Sequence, residues 1–298
     1  MGMRVRSLLA WLTWPFVMGV SIAAAAWGLA DGRDPGTWVF IVSVLNFNLV
    51  IGLEALLPRR PGVSLFRDWQ SINDIAHGSL VAGLARPLAA AFTVGFVGWW
   101  AGTGIDISGI WPQTWPAVLQ VAMVLLVTSA IGYWRHRFHH TLALLWPYHA
   151  LHHSAPHLHV LKGNRLHFGE ELLRFMITPL PLLLVGAPAE IVLWMTLWSN
   201  FAGALAHANV DQRFPDWFYY LVPTIQVHEI HHSRQVAHQL ANLSPTICLW
   251  DLLFGTFVHP RQAGSVSLGI EGDPVPRGFF AQLLQPLREN WRSLRRAA

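Results

Sequence analysis

The sequence is short of charge. Asp, Glu, Lys and Arg make up 12% of its 298 residues, roughly half the share of a soluble domain. A water-facing globule of this length needs ionised side chains over its whole surface, so the composition favours a chain that faces lipid. Lysine is almost missing, with Lys162 the only one among 20 basic residues. The arginines are scattered over loops and the C-terminal region and form no dense block. They suit topology signals and contacts to anionic lipid, and exclude a nucleic-acid surface. Cysteine is reduced to Cys248, which lies in an apolar stretch. A lone cysteine makes no internal disulfide and implies no oxidising compartment, and its default role is a small core residue. Iron–sulfur and zinc-finger sites are excluded for the same reason.

What the chain does have is apolar and aromatic residues, 53% hydrophobic overall with 16 Trp, a composition suited to belts at the headgroup level. Four apolar runs stand out: Leu8 to Ala30, Thr37 to Leu57, Ile75 to Ala101 and Trp115 to Trp134. Each is long enough to cross a bilayer as a helix, which takes about 20 residues. The second carries Glu54 near its end, and the third carries His77 and Arg86. The first run, preceded by Arg4 and Arg6 and containing Ala23 to Ala26, has some features of a signal peptide, but it is longer than a usual signal core. The connecting segments alternate basic and acidic: Arg4 and Arg6, then Asp31 to Gly36, then Arg59, Arg60 and Arg67, then Asp106. The positive-inside rule puts the N-terminus in the cytoplasm, and four spans return the chain there just before His136. A further apolar region, Leu172 to Ala206, is broken by Pro179, Pro181, Gly186 and Pro188. It reads as two shorter helices, a re-entrant hairpin or two more spans. The segment Gly278 to Arg296 alternates Phe279, Phe280, Leu283, Leu284, Leu287 and Trp291 with Arg288, Arg292, Arg295 and Arg296, and reads as an amphipathic helix on an anionic membrane surface.

Histidine is concentrated. Fifteen of the 16 lie between His136 and His259, nine of them in three clusters of one geometry. They are His136-Arg-Phe-His139-His140, His149-Ala-Leu-His152-His153 and His228-Glu229-Ile-His231-His232. On a helix the i and i+4 members point the same way and i+3 flanks them, so one turn offers two or three imidazoles to one place. Eight ligands from the clusters, with His207 as a ninth, exceed one coordination sphere and suit two ions. Packed histidines without metal repel when protonated and lose hydration when neutral. A bis-His haem would leave most of the pattern unused. His77, His238 and His259 stand alone and are not expected to be ligands. The last cluster also satisfies HExxH, so a membrane zinc protease with Glu229 as general base is an alternative. It leaves the other two clusters idle. A non-catalytic metal carrier is a second alternative. Carriers line a path through the bilayer, however, and these ligands cluster after the spans.

With these residues the sequence resembles the fatty acid hydroxylase/sterol desaturase superfamily of membrane di-iron enzymes. The resemblance runs from Tyr133 to Phe257. It takes in the His136/His140 pair, Trp146-Pro-Tyr-His149-Ala-Leu-His152-His153, Asn164-Arg165-Leu-His167 with Glu170 or Glu171, His207-Ala-Asn209, the block from His228 to Arg234, Asn242, and the closing Leu249-Trp250-Asp251-Leu-Leu-Phe254-Gly255-Thr256-Phe257. Where relatives often carry an Asp about two turns before the first His pair, this chain reads Val127-Thr128-Ser129-Ala130, so an anion behind the ligands is expected to be missing. Glu229 stands where a basic or apolar residue is usual. The resemblance implies an all-α integral membrane protein of about four transmembrane helices with a cytoplasm-facing histidine-rich cap. One domain is expected, with residues 1–134 mainly transmembrane, 135–260 carrying the metal site and 261–298 an amphipathic tail. The implied metal ligands are His136, His140, His149, His152, His153, His207, His228, His231 and His232, supported by His139, His167, Asn209 and Asp251. The implied cofactor is a pair of iron ions, which zinc can replace in purified protein. The implied reaction is hydroxylation or desaturation of a lipid C–H bond with O2, in a bacterial inner membrane. No haem or flavin segment is visible in the sequence, so electrons are expected from a ferredoxin or cytochrome b5-like carrier. Arg137, Lys162 and Arg165 are expected as solvated charges able to meet an anionic group or that carrier.

Overall fold

The computed structural model describes residues 2–297, and among them there is no β-strand, only isolated bridges at Pro58–Val210 and Ser233–Leu268. Four helical stretches are long and apolar enough to cross a bilayer: Met3–Ala30, Pro35–Leu56, Ser71–Ala101 and Ala117–Thr141. The first is α1 and the second α2. The third is α3 (Ser71–Leu80), a π turn (Val81–Ala85) and α4 (Arg86–Ala101), and the fourth is α5. These match the four runs read from the sequence, and the chain is an integral membrane protein. Local chemistry sets the boundaries. Asp34 accepts from the Thr37 N–H at 2.8 Å and Pro35 opens α2, while Pro116 precedes α5.

The first helix is built into the bundle. Trp38 lies across Gly28, where a Cβ would meet its indole, and donates to the Ala24 carbonyl at 3.0 Å. Asn46 donates to Ser21 Oγ at 2.8 Å, an interhelical bond of the kind that holds helices together in lipid. The region Leu172 to Ala206 resolves into α7 (Phe168–Ile177), α8 (Leu180–Leu184) and α9 (Ala189–His207). None of these is among the four long apolar stretches. The broken apolar region is therefore a set of shorter helices. α7 and α8 lean on α4, and α9 packs against α1, α2 and α5. Val17, Val39, Val42, Leu197 and Phe201 form the shared core.

Between α5 and α7 lies α6 (Trp146–His153). After α9 come α10 (Ile225–His231), α11 (Val236–Gln239), α12 (Leu249–Leu253) and α13 (Pro260–Ala263), which with α6 form a cap, and then the tail helix α14 (Phe279–Ala297). The cap sits at the end of the bundle where α1 and α3 begin and where α2, α5 and α9 end. Arg6 donates to the Pro58 carbonyl at 2.6 Å and pairs with Asp211 at 3.3 Å, and Glu54 Oε1 accepts from both Val160 N and Asn209 N at 2.7 Å. α14 packs on α6 and leaves Phe280, Leu284, Leu287 and Trp291 exposed, as an amphipathic surface helix would. The Arg296 side chain lies outside the described residues.

Lys162 and Arg165 depart from expectation, because both are buried rather than solvated. Lys162 Nζ lies 2.5 Å from Asp68 and 2.7 Å from Asp74, and Arg165 meets Asp74 at 2.9 Å. The pairs tie the cap to the start of the third span. Arg137 is half-buried, donating to Tyr133 Oη at 2.8 Å.

Candidate metal centre

The cap brings the nine expected ligands together in two sets. His136, His140, His149, His153 and His231 form one, and His152, His207, His228 and His232 the other, each with candidate donor atoms within 4.8 Å of one another. The helical spacing explains the division. On α6, His149 and His153 are one turn apart and enter the first set, while His152, between them, is turned to the second. Around α10, His228 and His232 enter the second set and His231 the first. α5 contributes His136 and His140, and the last residue of α9 contributes His207. The sets touch: the His153 and His232 rings stack with centroids 4.5 Å apart.

The proton positions test whether these residues fit a metal. His136 Nδ1 faces the Leu243 carbonyl at 2.7 Å, and His231 Nδ1 faces the Ala241 carbonyl at 2.9 Å. His149 Nδ1 faces the Glu170 carboxylate at 2.9 and 3.0 Å, and His207 Nδ1 faces the Gly203 carbonyl at 2.8 Å. Each Nδ1 therefore carries the hydrogen, and in a neutral ring Nε2 is left as a bare lone pair. Yet His136 Nε2 lies 2.9 Å from Nε2 of both His149 and His231. In the other set His207 Nε2 lies 2.9 Å from His228 Nε2 and 3.3 Å from His152 Nε2, and His228 Nε2 lies 3.0 Å from His232 Nε2. Among His136, His149 and His231 lone pair therefore meets lone pair, which is repulsive, and a cation between them reverses the sign. Nitrogens held about 2.1 Å from one ion and about 90° apart are about 3 Å from each other, as these are. His140 Nε2 is buried with no partner among the described residues. An imidazole donor set of this kind suits iron, and equally zinc.

Burial keeps the rings neutral. It holds His149, His152, His153, His228 and His232 well below the ordinary histidine range, with neighbouring imidazoles adding to the effect, and lowers His231 to about 4. Neutral imidazole is the ligating form.

The missing anion has been supplied from elsewhere. Both carboxylate oxygens of Glu170, on α7, face His149 Nδ1, and Oε1 also accepts from Arg135 at 3.0 Å. Burial pushes its pKa up to about 7, against the pull of Arg135. Carboxylate-to-histidine contacts of this type orient the ring and raise its donor strength. Asp251 acts one step further back. It accepts from Leu243 N and Ser244 N at 2.8 Å each and from Thr256 Oγ1 at 2.6 Å, fixing the loop whose Leu243 carbonyl holds His136.

Three other expected supporting residues make no hydrogen bond to a ligand ring, though the His139 ring packs on His149 with centroids 5.8 Å apart. His139 belongs to neither set, and its Nδ1 bonds the Arg135 carbonyl one turn back at 2.8 Å. His167 caps α7 through Gly169 N at 3.0 Å and gives its other nitrogen to the Leu283 carbonyl of α14 at 2.9 Å. Asn209 is bound to the Arg60 to Val63 loop by three side-chain hydrogen bonds. His77 bonds Gln282 and His259 caps α13, so neither is in a set. A third cluster, Asp68, His157 and His159, is an ion-pair node: one Asp68 oxygen already receives His157 at 3.2 Å, His159 at 3.1 Å and the Lys162 ammonium.

Glu229 faces away from the imidazoles. It is buried between Arg59 at 2.6 Å and Arg60 at 3.0 Å, so its carboxylate is committed to structural pairs and is not placed to act as a protease base.

A cavity of about 640 Å³ runs from these histidines into the bundle. His136, His149, His152, His207 and His228 line one end, and Phe40 and Val44, exposed on the outside of α2, line the other. Sequence reasoning did not foresee it, because its walls come from eight separate helices, α2 to α7, α9 and α10.

The comparisons with known proteins agree with this geometry. Residues 121–256 match the family model described as fatty acid hydroxylase. An ornithine lipid hydroxylase of Rhizobium tropici is 32% identical over 97% of this chain and 87% of its own length. Alkylglycerol monooxygenases of Xenopus tropicalis and Danio rerio are 24% and 26% identical, over 44% and 42% of this chain and 28% and 27% of theirs. No solved structure matches significantly. With a matching family model over the histidine region and a relative aligned along nearly its whole length, the chain belongs to the fatty acid hydroxylase family, membrane oxidoreductases that act on lipids.

Proposed function

We propose that this protein is an O2-dependent di-iron enzyme that hydroxylates a membrane lipid. His136, His140, His149, His153 and His231 hold one iron, and His152, His207, His228 and His232 the other. The observation that carries this reading is the set of Nε2 lone pairs aimed at two common points beside a cavity that reaches the bilayer side of the bundle. Bound iron supplies the activation of O2 and the oxidation of an unactivated C–H bond. The protein supplies the rest. Carbonyls and Glu170 fix the His136, His149, His207 and His231 rings by their Nδ1–H, buried walls exclude water, and the cavity presents one carbon to the ions. The names of the relatives favour hydroxylation over desaturation and point to a lipid with an amino-acid headgroup.

The basic loop with Arg59, Arg60 and Arg67 and the start of α1 lie at the cap end, which supports a cytoplasmic N-terminus and metal centre in a bacterial inner membrane. A ferredoxin or cytochrome b5-like carrier delivers the electrons at that face. The test is lipid mass spectrometry of cells with and without the protein, which should show a product heavier by one oxygen, together with iron analysis showing two ions per chain. An unchanged product level in His152→Ala would overturn the assignment.

A further inference from the structure

Arg86 sits at the midpoint of the third span, Ser71–Ala101, with fifteen residues on either side. A guanidinium at that depth is costly and persists where it meets water, protein or a countercharge. The acid nearest in kind, Glu171, which lines the same cavity, is taken by Arg174, and no carboxylate among the described residues lies within ion-pair range of Arg86. The backbone aims the side chain. Pro87 has no N–H to give, and the helix before it opens into a π turn in which Arg86 N–H bonds the Val81 carbonyl. One extra residue in a turn rotates the rest of the helix by about 100°. Arg86 Cζ rests 5.0 Å from the centre of the Phe175 ring and lines the cavity that opens on His136, His149 and His152.

A second observation concerns the walls. Within the bundle the cavity is lined by Ser43, Asn46, Thr128, Thr196, Ser199 and Asn200. Asn200 donates to Ser43 Oγ at 2.9 Å. Ser43, Asn46 and Thr128 spend their donors on Val39, Ser21 and Val124, whereas Thr196 and Ser199 have no side-chain hydrogen bond among the described residues and can meet a polar guest.

We propose that the cavity admits the polar part of a lipid bearing an oxyanion, a carboxylate or a phosphate, and that Arg86 is its counter-ion. The proposal rests on the hydroxylase reading for its choice of a lipid, and its test reads binding without turnover, so the two can fail separately. Metal-loaded protein in detergent is mixed with ornithine lipid or its carboxyl methyl ester, and with phosphatidic acid or diacylglycerol, and bound lipid is measured by native mass spectrometry. At least one acid should bind about 30-fold tighter than its neutral partner, the loss expected when one member of a buried charge pair is removed. Which pair shows the preference identifies carboxylate or phosphate. R86Q should bring that ratio close to one, and R86K, which keeps the charge without the fork, should lower it several-fold. Equal binding of acid and neutral lipid in both pairs by the wild-type protein overturns the proposal, whether or not R86Q folds. So does a full preference retained by an R86Q protein with wild-type metal content.

Discussion

Glu170→Gln separates the two halves of the centre. Glu170 touches the first set through His149 and does not touch the second. The amide carries no charge, so both His149 and Arg135 lose their anionic partner. Removing such an outer partner weakens metal binding by about 10- to 100-fold, or about 1.4 to 2.7 kcal/mol. Arg135 and Glu170 are 10% and 2% exposed, so water screens the pair little. An uncompensated guanidinium there should cost about 3 kcal/mol of folding stability, the low end for breaking a buried pair. The assay is chelator competition followed by metal analysis. One ion per chain should leave at a chelator concentration about 10- to 100-fold lower than in the wild type, and the second at nearly its wild-type concentration. In a His207→Ala background, where the second set is already broken, Glu170→Gln should weaken the one ion that remains. If that remaining ion were held with unchanged affinity, the assignment of Glu170 to the five-histidine set would be wrong.

The same geometry sets two further outcomes. His231 is held near 4 in the folded protein against about 6.5 unfolded, so between those values the unfolded chain binds more protons and acid favours unfolding. The loss amounts to about 2 kcal/mol at pH 5 from this residue alone, visible as a falling melting temperature of metal-depleted protein from pH 7 to pH 5. A flat profile would contradict a buried, neutral ring. Glu229→Gln should retain both ions and most lipid hydroxylation, at a cost of about 1 kcal/mol from the partly exposed arginine pairs. Loss of activity by about 1,000-fold with both ions bound would restore Glu229 to the chemistry.

The sequence made the bundle legible because each span is a long unbroken apolar run, and it made the ligands legible because i, i+3 and i+4 histidines have few other uses. It did not reveal how the histidines divide. That depends on which way α6 and α10 are turned against each other, and packing sets those rotations. Of the anions beside the centre, Asp251 was expected, but the choice between Glu170 and Glu171 was left open for a related reason. The expected Asp before His136 is absent, and Glu170, which holds His149, stands next to an equally plausible Glu171 that pairs with Arg174 instead. Lys162 and Arg165 resembled surface charges because their partners Asp68 and Asp74 lie about ninety residues away. His167 belonged to the recognisable motif region, yet it serves a helix cap and the tail.

Glu54 carries a consequence for how the protein is made. Synthesis runs from the N-terminus, so the second span must enter the membrane long before Val160 and Asn209, whose N–H groups its carboxylate accepts, leave the ribosome. For the time it takes to translate more than a hundred residues, the acid waits without partners. Its place in the last turn of α2, at the bilayer boundary, lets water hold it until then. The same carboxylate moved two turns deeper would have no solvent to wait in. The position of one glutamate along its helix is thus fixed as much by the order of biogenesis as by the finished structure.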